Sequence, residues 1–385
     1  MSVTEQPTTT LHLAPLQPPK RYLFGPGPTM VDPRVYAALS KPIVGHLDAY
    51  FIQVMGDVQQ LVKMVYSTAE GSALVISGTG SAGMEAAISN FVEPGAKVAV
   101  FANGYFSDRL TEMAKRHGAD IARFEKPWGE VYSDDEARDF IRREKPQVVA
   151  YVHAETSTGA LQKGKAICQA AHEAGALVIA DCVTSLGGVP VNFDETGIDI
   201  AYSCTQKGLS CPPGLSPMAI SERAMKWLRA RTTPPRSWYL DLKLIHDYST
   251  VSHRYHHTAP ISMFYALREA LMVIAEEGVE NRWERHRRAN KFFVSGIEAM
   301  GLKMHVPAEH RIANLSTVRV PEGVDEAKVR KHLLDGPGIE IAGGFGPLAG
   351  KVFRIGIMGP LATEENVQFF LREFKRALSA AGSQM

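Results

Sequence analysis

The sequence predicts an α/β protein in which a mostly parallel sheet forms a large domain and a smaller α+β domain follows at the C-terminus. Three observations carry this reading. The chain has 385 residues, more than one hydrophobic core ordinarily serves, so two domains are expected. From about residue 55, strand-like apolar runs alternate with amphipathic segments, the pattern of βαβ units whose crossovers make neighbouring strands parallel. Beyond about residue 300 that alternation gives way to a shorter mixture of strands and helices. The expected division is an N-terminal arm over 1–22, a large domain over 23–280 and a small domain over 281–385.

The arm is rich in Pro and Thr and lacks periodicity, so it reads as extended chain whose end a partner surface could order. The strand candidates of the large domain are 72–77, 97–101, 147–153, 176–181 and 199–203. Between them, 82–91, 106–117 and 163–174 carry helical spacing. Right-handed crossovers gather the strand C-termini on one edge, where such sheets bind ligands. A long amphipathic stretch, 266–300, leads to the small domain, with 314–320 and 351–357 as strands and 324–334 and 363–380 as helices. There is no internal repeat.

Composition excludes several classes. A formal net charge of +1 leaves no excess to displace counterions from a polyanion, so nucleic acid is not an expected partner. No apolar run is long enough to cross a bilayer, and the N-terminus lacks the charged-then-apolar order of a secretory leader, so a soluble cytoplasmic protein is expected. Cys168, Cys182, Cys204 and Cys211 read as thiols of a reducing compartment.

The chemistry concentrates at strand ends. Asp181 closes the buried-looking run Ala-Leu-Val-Ile-Ala-Asp, and Lys207 lies in a loop just beyond the next strand. A carboxylate set against a pyridine nitrogen favours its protonated form, and a lysine at a sheet edge can capture an aldehyde, so the pair fits pyridoxal 5′-phosphate (PLP). A helix cap at Asp181 and a solvated charge at Lys207 is the plainer alternative. The segment Ser77-Gly78-Thr79-Gly80-Ser81-Ala82-Gly83 follows a strand and opens a small-residue helix. Free amides at its N-terminus, joined by the Thr79 and Ser81 hydroxyls, suit a phosphate dianion. It also matches G-x-G-x-x-G, the dinucleotide fingerprint. That fold expects an acid about 20 residues on at the end of the next strand, where this chain has Ala102-Asn103-Gly104. Phe106 could stack on a pyridine ring or belong to the core. Thr156 could reach a phenolic oxygen or form part of a Ser/Thr turn. Both pairs of readings stand at this point.

Several separate segments resemble one family: Phe24-Gly25-Pro26-Gly27-Pro28-Thr29, Ser77-Gly78-Thr79-Gly80, Ser157-Thr158-Gly159, Asp181 through Gly188, Gln206-Lys207, Tyr255-His256-His257-Thr258 and Phe353-Arg354-Ile355-Gly356. From about Phe24 to the last helix, the chain resembles the class V, fold type I aminotransferases of the alanine-glyoxylate and serine-glyoxylate (serine-pyruvate) kind. The resemblance implies Lys207 as the lysine bonded to PLP, Asp181 at the ring nitrogen and Val183 across the ring from Phe106. Thr79, Gly80, Ser81 and Gln206 would sit at the phosphate. It also implies that Tyr255 and Thr258 reach the phosphate of the other subunit in a homodimer, with Arg354 and Gly27 on the substrate side. Phe106 stands where many relatives have tryptophan, and Ser81 where some have histidine. His46 lies in a segment resembling the substrate-side loop, which contains glutamine in ureidoglycine-using relatives.

The implied reaction is a two-stage transfer from a small donor, alanine or serine, to glyoxylate or pyruvate. Lys207 is the anchor first and the general base afterwards. Ureidoglycine-glyoxylate transfer, β-elimination or desulfuration on the same scaffold, and a non-catalytic binding protein, are the alternatives. A desulfurase would need a cysteine on a mobile loop. A binding protein would be expected to lack the lysine, the aspartate or the arginine. A metal at His253, His256 and His257 is set aside because no nearby acid completes a ligand set, and Cys204 and Cys211 lack a second cysteine pair.

Overall fold

In the computed structural model, which describes residues 13–382, seven strands form the central sheet. They are β1 (Ser72–Ser77), β2 (Lys97–Ala102), β3 (Asp120–Glu125), β4 (Val148–Val152), β5 (Leu177–Asp181), β6 (Ile200–Tyr202) and β7 (Leu215–Ile220), in the spatial order β1-β7-β6-β5-β4-β2-β3. Only β7 runs against its neighbours; the contacts among β3, β2, β4, β5 and β6 are parallel.

Helices cover both faces, so a strand such as Val98-Ala99-Val100-Phe101 sends alternate side chains into two different cores. A sheet buried on both faces needs continuous apolar strands, which is why β4 and β5 were legible. Two elements were not expected. Edge strand β3, Asp-Ile-Ala-Arg-Phe-Glu, mixes charged with apolar residues and is not a continuous apolar run. In β7, Pro217 argues against a central strand because it lacks an N–H. Its carbonyl is nevertheless used twice, accepting from Ser203 N at 2.9 Å and from the Tyr66 hydroxyl at 3.0 Å.

A third core lies beside the C-terminal three-stranded antiparallel sheet, whose central strand Val352–Gly356 is flanked by Leu315–Arg319 and Ala342–Gly343. Phe293, Phe353, Phe370 and Phe374 fill it, with the closing helix Glu364–Ala380 packed on it. The stretch expected over 266–300 is two helices, Ile261–Glu277 and Val279–Ala299. They are broken at Gly278, whose φ of +83° suits glycine. Of the arm, residues 1–12 lie outside the described residues. Its end is ordered by this chain itself, through parallel pairing of Tyr22–Leu23 with Ile339–Glu340, and Phe24 sits in the C-terminal core. No helix among the described residues is long and apolar enough to cross a membrane.

Candidate active site

Strands β5 and β6 are in parallel register with Asp181 opposite Tyr202, so the loops that follow them leave the sheet side by side. Asp181 is 1% exposed. Its carboxylate accepts from Val183 N and from the Tyr202 hydroxyl, each at 2.9 Å. Burial lifts its pKa to about 6 against these donors. Such a carboxylate gains by meeting a cation.

Lys207 is also buried. Its Nζ donates to Pro26 O at 2.5 Å and to Thr156 Oγ1 at 3.4 Å. Burial pulls the ammonium down to about 8, against the opposing attraction of Cys204 and Asp181. About a tenth is therefore neutral amine at pH 7, the form that attacks an aldehyde.

Thr156 bonds Thr184, which stands on the loop after Asp181, so both threonine hydroxyls meet beside Lys207. Next to it, the buried Glu155 accepts from the amides of Phe106 at 3.2 Å, Ser107 at 3.4 Å and Ser157 at 3.0 Å. It thereby caps the helix Tyr105–Arg116 that carries Phe106, a carboxylate at the positive end of the helix. Gly104 makes this possible, since a Cβ there would lie 2.3 Å from Glu155 Cγ.

The glycine-rich turn opens the helix Gly80–Phe91, where the Thr79 side chain makes no capping bond and the first amides stay available. Thr79 and Ser81 are exposed. Ser81 Oγ accepts from Arg109, whose guanidinium lies 4.9 Å from the Phe106 ring centroid, so Arg109 ties this turn to the aromatic. A Cβ on Gly80 would stand 3.1 Å from Cys204 Cβ and 3.2 Å from Val183 Cγ2. Gln206 has a buried Oε1 without a hydrogen-bond partner.

Arg354, 3% exposed, projects from the central strand of the C-terminal sheet. It donates to Gly343 O at 2.7 Å and Thr156 O at 3.4 Å, and its guanidinium stacks 3.9 Å from the Phe345 centroid. Burial lowers its pKa to about 10, still leaving it cationic at neutral pH. A cavity of 300 Å³ is lined by Gly27, Phe106, Thr156, Lys207, Phe345 and Arg354, among others. Gly27 has φ +109° and stands so near Lys207 that a Cβ would lie 3.0 Å from its Cγ.

Of the sequence candidates, Gly27, Phe106, Thr156, Lys207 and Arg354 thus share one cavity; Asp181, Val183, Gln206, Thr79, Gly80 and Ser81 are not among its lining residues. Tyr255 and Thr258 do not line it. Tyr255 is 56% exposed, with its ring 5.0 Å from His46. The segment of His256 and His257 is neither helix nor strand, and their Nδ1 atoms meet at 2.8 Å. His257 then bonds Ser77 Oγ at 2.6 Å. Glu155, Thr184, Tyr202 and Phe345 were missed. Glu155 had a signal, three residues before the Ser/Thr turn's end at Thr158; the others are set by tertiary pairing alone. All four cysteines are buried and unpaired.

The family described as Aminotransferase class-V matches residues 21–370. The alanine–glyoxylate aminotransferase of Callithrix jacchus is 38% identical over 371 residues, 95% of this chain and 89% of that one. The (S)-ureidoglycine–glyoxylate transaminase of Bacillus subtilis (strain 168) is 38% identical over 378 residues, 94% of this chain and 91% of its own. A crystal structure of an alanine–glyoxylate aminotransferase from Nostoc sp. superposes with a TM-score of 0.95 at 45% identity, covering 98% of this chain and all of that one (100%).

Proposed function

Since the chain belongs to the class V aminotransferases, which makes it a PLP-dependent transaminating enzyme of the alanine-glyoxylate type, we propose that it moves the amino group of alanine or serine to glyoxylate. The residues present fit the cofactor. Gly80 and Gly27 leave room that any side chain would take, and the first amides of the helix Gly80–Phe91 meet no side-chain cap. Lys207 and Asp181 would hold the aldehyde carbon and the ring nitrogen. Thr79, Gly80, Ser81 and Gln206 would hold the phosphate, Thr156 the phenolic oxygen, and Phe106 and Val183 the two ring faces.

Bound PLP supplies an aldehyde that captures amines and a protonated ring that draws electrons from the bond being broken. Asp181 would favour a proton on that ring nitrogen by charge pairing in a dry site. Lys207 Nζ, once free, would take the proton from the substrate Cα. Arg354 holds the substrate carboxylate by two N–H groups, which turns the Cα–H bond toward the lysine. Phe106 and Phe345 exclude water from the cavity.

The observation that carries this reading is the meeting of a partly neutral buried Lys207 with Arg354 in one small cavity. We further propose a homodimer in which Tyr255, exposed in the single chain, serves the phosphate of the partner's site together with Thr258. The buried, unpaired thiols support a reducing compartment, and we place the enzyme in the cytoplasm. Ureidoglycine is the second donor to consider, favoured by the equal 38% identity to the Bacillus subtilis transaminase. Steady-state rates with alanine, serine and ureidoglycine against glyoxylate, and with serine and ureidoglycine also against pyruvate, test the assignment. Alanine or serine should lead in kcat/KM by at least about tenfold, a difference of ~1.4 kcal/mol in transition-state stabilisation; a lead for ureidoglycine overturns the choice of donor.

A further inference from the structure

We infer that Arg282 is a positioning residue that sets Lys207 relative to Arg354, through a buried charged node joining the loops of the central sheet to the C-terminal sheet. It rests on the roles given above to those two residues. Arg282 is 3% exposed near the start of the helix Val279–Ala299. Its Nε donates to Gly187 O at 3.0 Å, and its Nη2 donates to Gly208 O at 2.8 Å and Ser210 Oγ at 3.2 Å. Gly187 lies on the loop after Asp181, and Gly208 directly follows Lys207. These loops touch backbone to backbone: a Cβ on Gly208 would fall 2.3 Å from Leu186 O. One guanidinium therefore holds the carbonyls of both reactive loops at once.

The node continues on its other side. Arg282 Nη1 donates to Glu277 Oε2 at 3.0 Å, and the same carboxylate accepts from Arg285 at 2.6 and 3.0 Å. Arg285 Nη1 donates onward to Gly359 O at 2.8 Å and Ala362 O at 3.0 Å. His286 Nε2 accepts from Gly359 N at 3.0 Å, which leaves its Nδ1 to donate to Arg282 O at 2.7 Å. Gly359 follows the strand that carries Arg354, and its Cβ position lies 1.9 Å from Ser210 Oγ, so the two halves meet there without a gap. Gly208, next to Lys207, and Gly359, on the segment that follows the strand of Arg354, are thus connected through a short series of directional hydrogen bonds. A planar fork can satisfy two carbonyls and a carboxylate together; an ammonium of the same charge cannot.

The experiment compares Arg282→Lys and Glu277→Gln with the wild type as PLP-loaded enzymes. Two readouts are taken: kcat and KM for the amino donor, and the pH midpoint of the bound cofactor's near-visible absorbance without substrate. Arg282→Lys should fold and hold PLP, lose roughly ten- to a hundredfold in kcat, raise KM and shift that midpoint, because small misplacements of reacting groups cost on this scale. Glu277→Gln leaves both loop carbonyls paired and should show a smaller loss in the same direction. Wild-type kcat, KM and midpoint in both loaded variants overturn the inference. Should Arg282→Lys fail to fold, wild-type values in Glu277→Gln alone overturn it. If the wild type transfers from neither alanine nor serine, the proposed donor falls instead, and the substrate-free midpoint still decides the role of Arg282.

Discussion

The Tyr202 hydroxyl donates a 2.9 Å hydrogen bond to Asp181 Oδ2 from the directly paired position on the neighbouring strand. The bond favours the ionised carboxylate in a site whose burial disfavours it. Tyr202→Phe should therefore raise the Asp181 pKa further above its value of about 6 and move the acid limb of kcat/KM to higher pH. The expected move is about one unit, since a hydrogen bond to a charged group is worth ~1.5 kcal/mol. An unmoved acid limb would separate Asp181 from that limb. Asp181→Asn should retain PLP and lose turnover on the order of a hundredfold, the scale of one preorganised charge in a dry site.

Lys207 makes a prediction about stability. Its folded pKa, about 8, lies below the unfolded value of 10.5. For a base depressed in this way, stability is fully present above the unfolded pKa and is lost as pH falls from about 10.5 through about 8. In cofactor-free protein, Lys207→Met should thus gain stability over the wild type as pH falls through that window, reaching roughly 3 kcal/mol near pH 7. Denaturant unfolding at several pH values measures it. A difference independent of pH contradicts the burial assigned to Lys207.

Gly104→Ala places a methyl group 2.3 Å from Glu155 Cγ, so the carboxylate must leave the amides of Phe106 and Ser107. The expected cost is about 1–3 kcal/mol of stability, from overpacking and loss of the helix cap, together with weaker PLP binding. Thermal unfolding and cofactor titration check this. Wild-type values in both would mean that Glu155 does not support Phe106.

The shared-site reading is tested by mixing subunits. A Lys207→Ala chain and a Tyr255→Phe, Thr258→Ala chain should give heterodimers in which one site is intact and the other carries all lesions. Recovered activity above either parent is expected. None, in heterodimers of defined composition, contradicts contribution across the interface.

Most of the central sheet was legible because β2, β4 and β5 are short continuous apolar runs. Asp181 and Lys207 were legible because strand ends are where such sheets act. What escaped the sequence depends on pairing distant in the chain. Pro217 hid a central antiparallel strand, and the register that sets Tyr202 beside Asp181 follows from the sheet order. The stacking of Phe345 on Arg354 needs the C-terminal sheet folded against the large one. Arg282 looked like one more charge in an arginine-rich helix, and only the approach of the Gly187 and Gly208 carbonyls gives it a purpose.

The most direct test of the central claim is a single-turnover spectrum of the PLP-loaded enzyme, taken with L-alanine or L-serine and then with glyoxylate. The account predicts that alanine or serine bleaches the near-visible band with one equivalent of its oxo acid released, and that glyoxylate restores the band with one equivalent of glycine formed. In Lys207→Ala, which should hold PLP by its phosphate without covalent attachment, the bleaching should be slowed by orders of magnitude. A wild-type band that neither donor bleaches, or a Lys207→Ala variant that turns over at the wild-type rate, would contradict it.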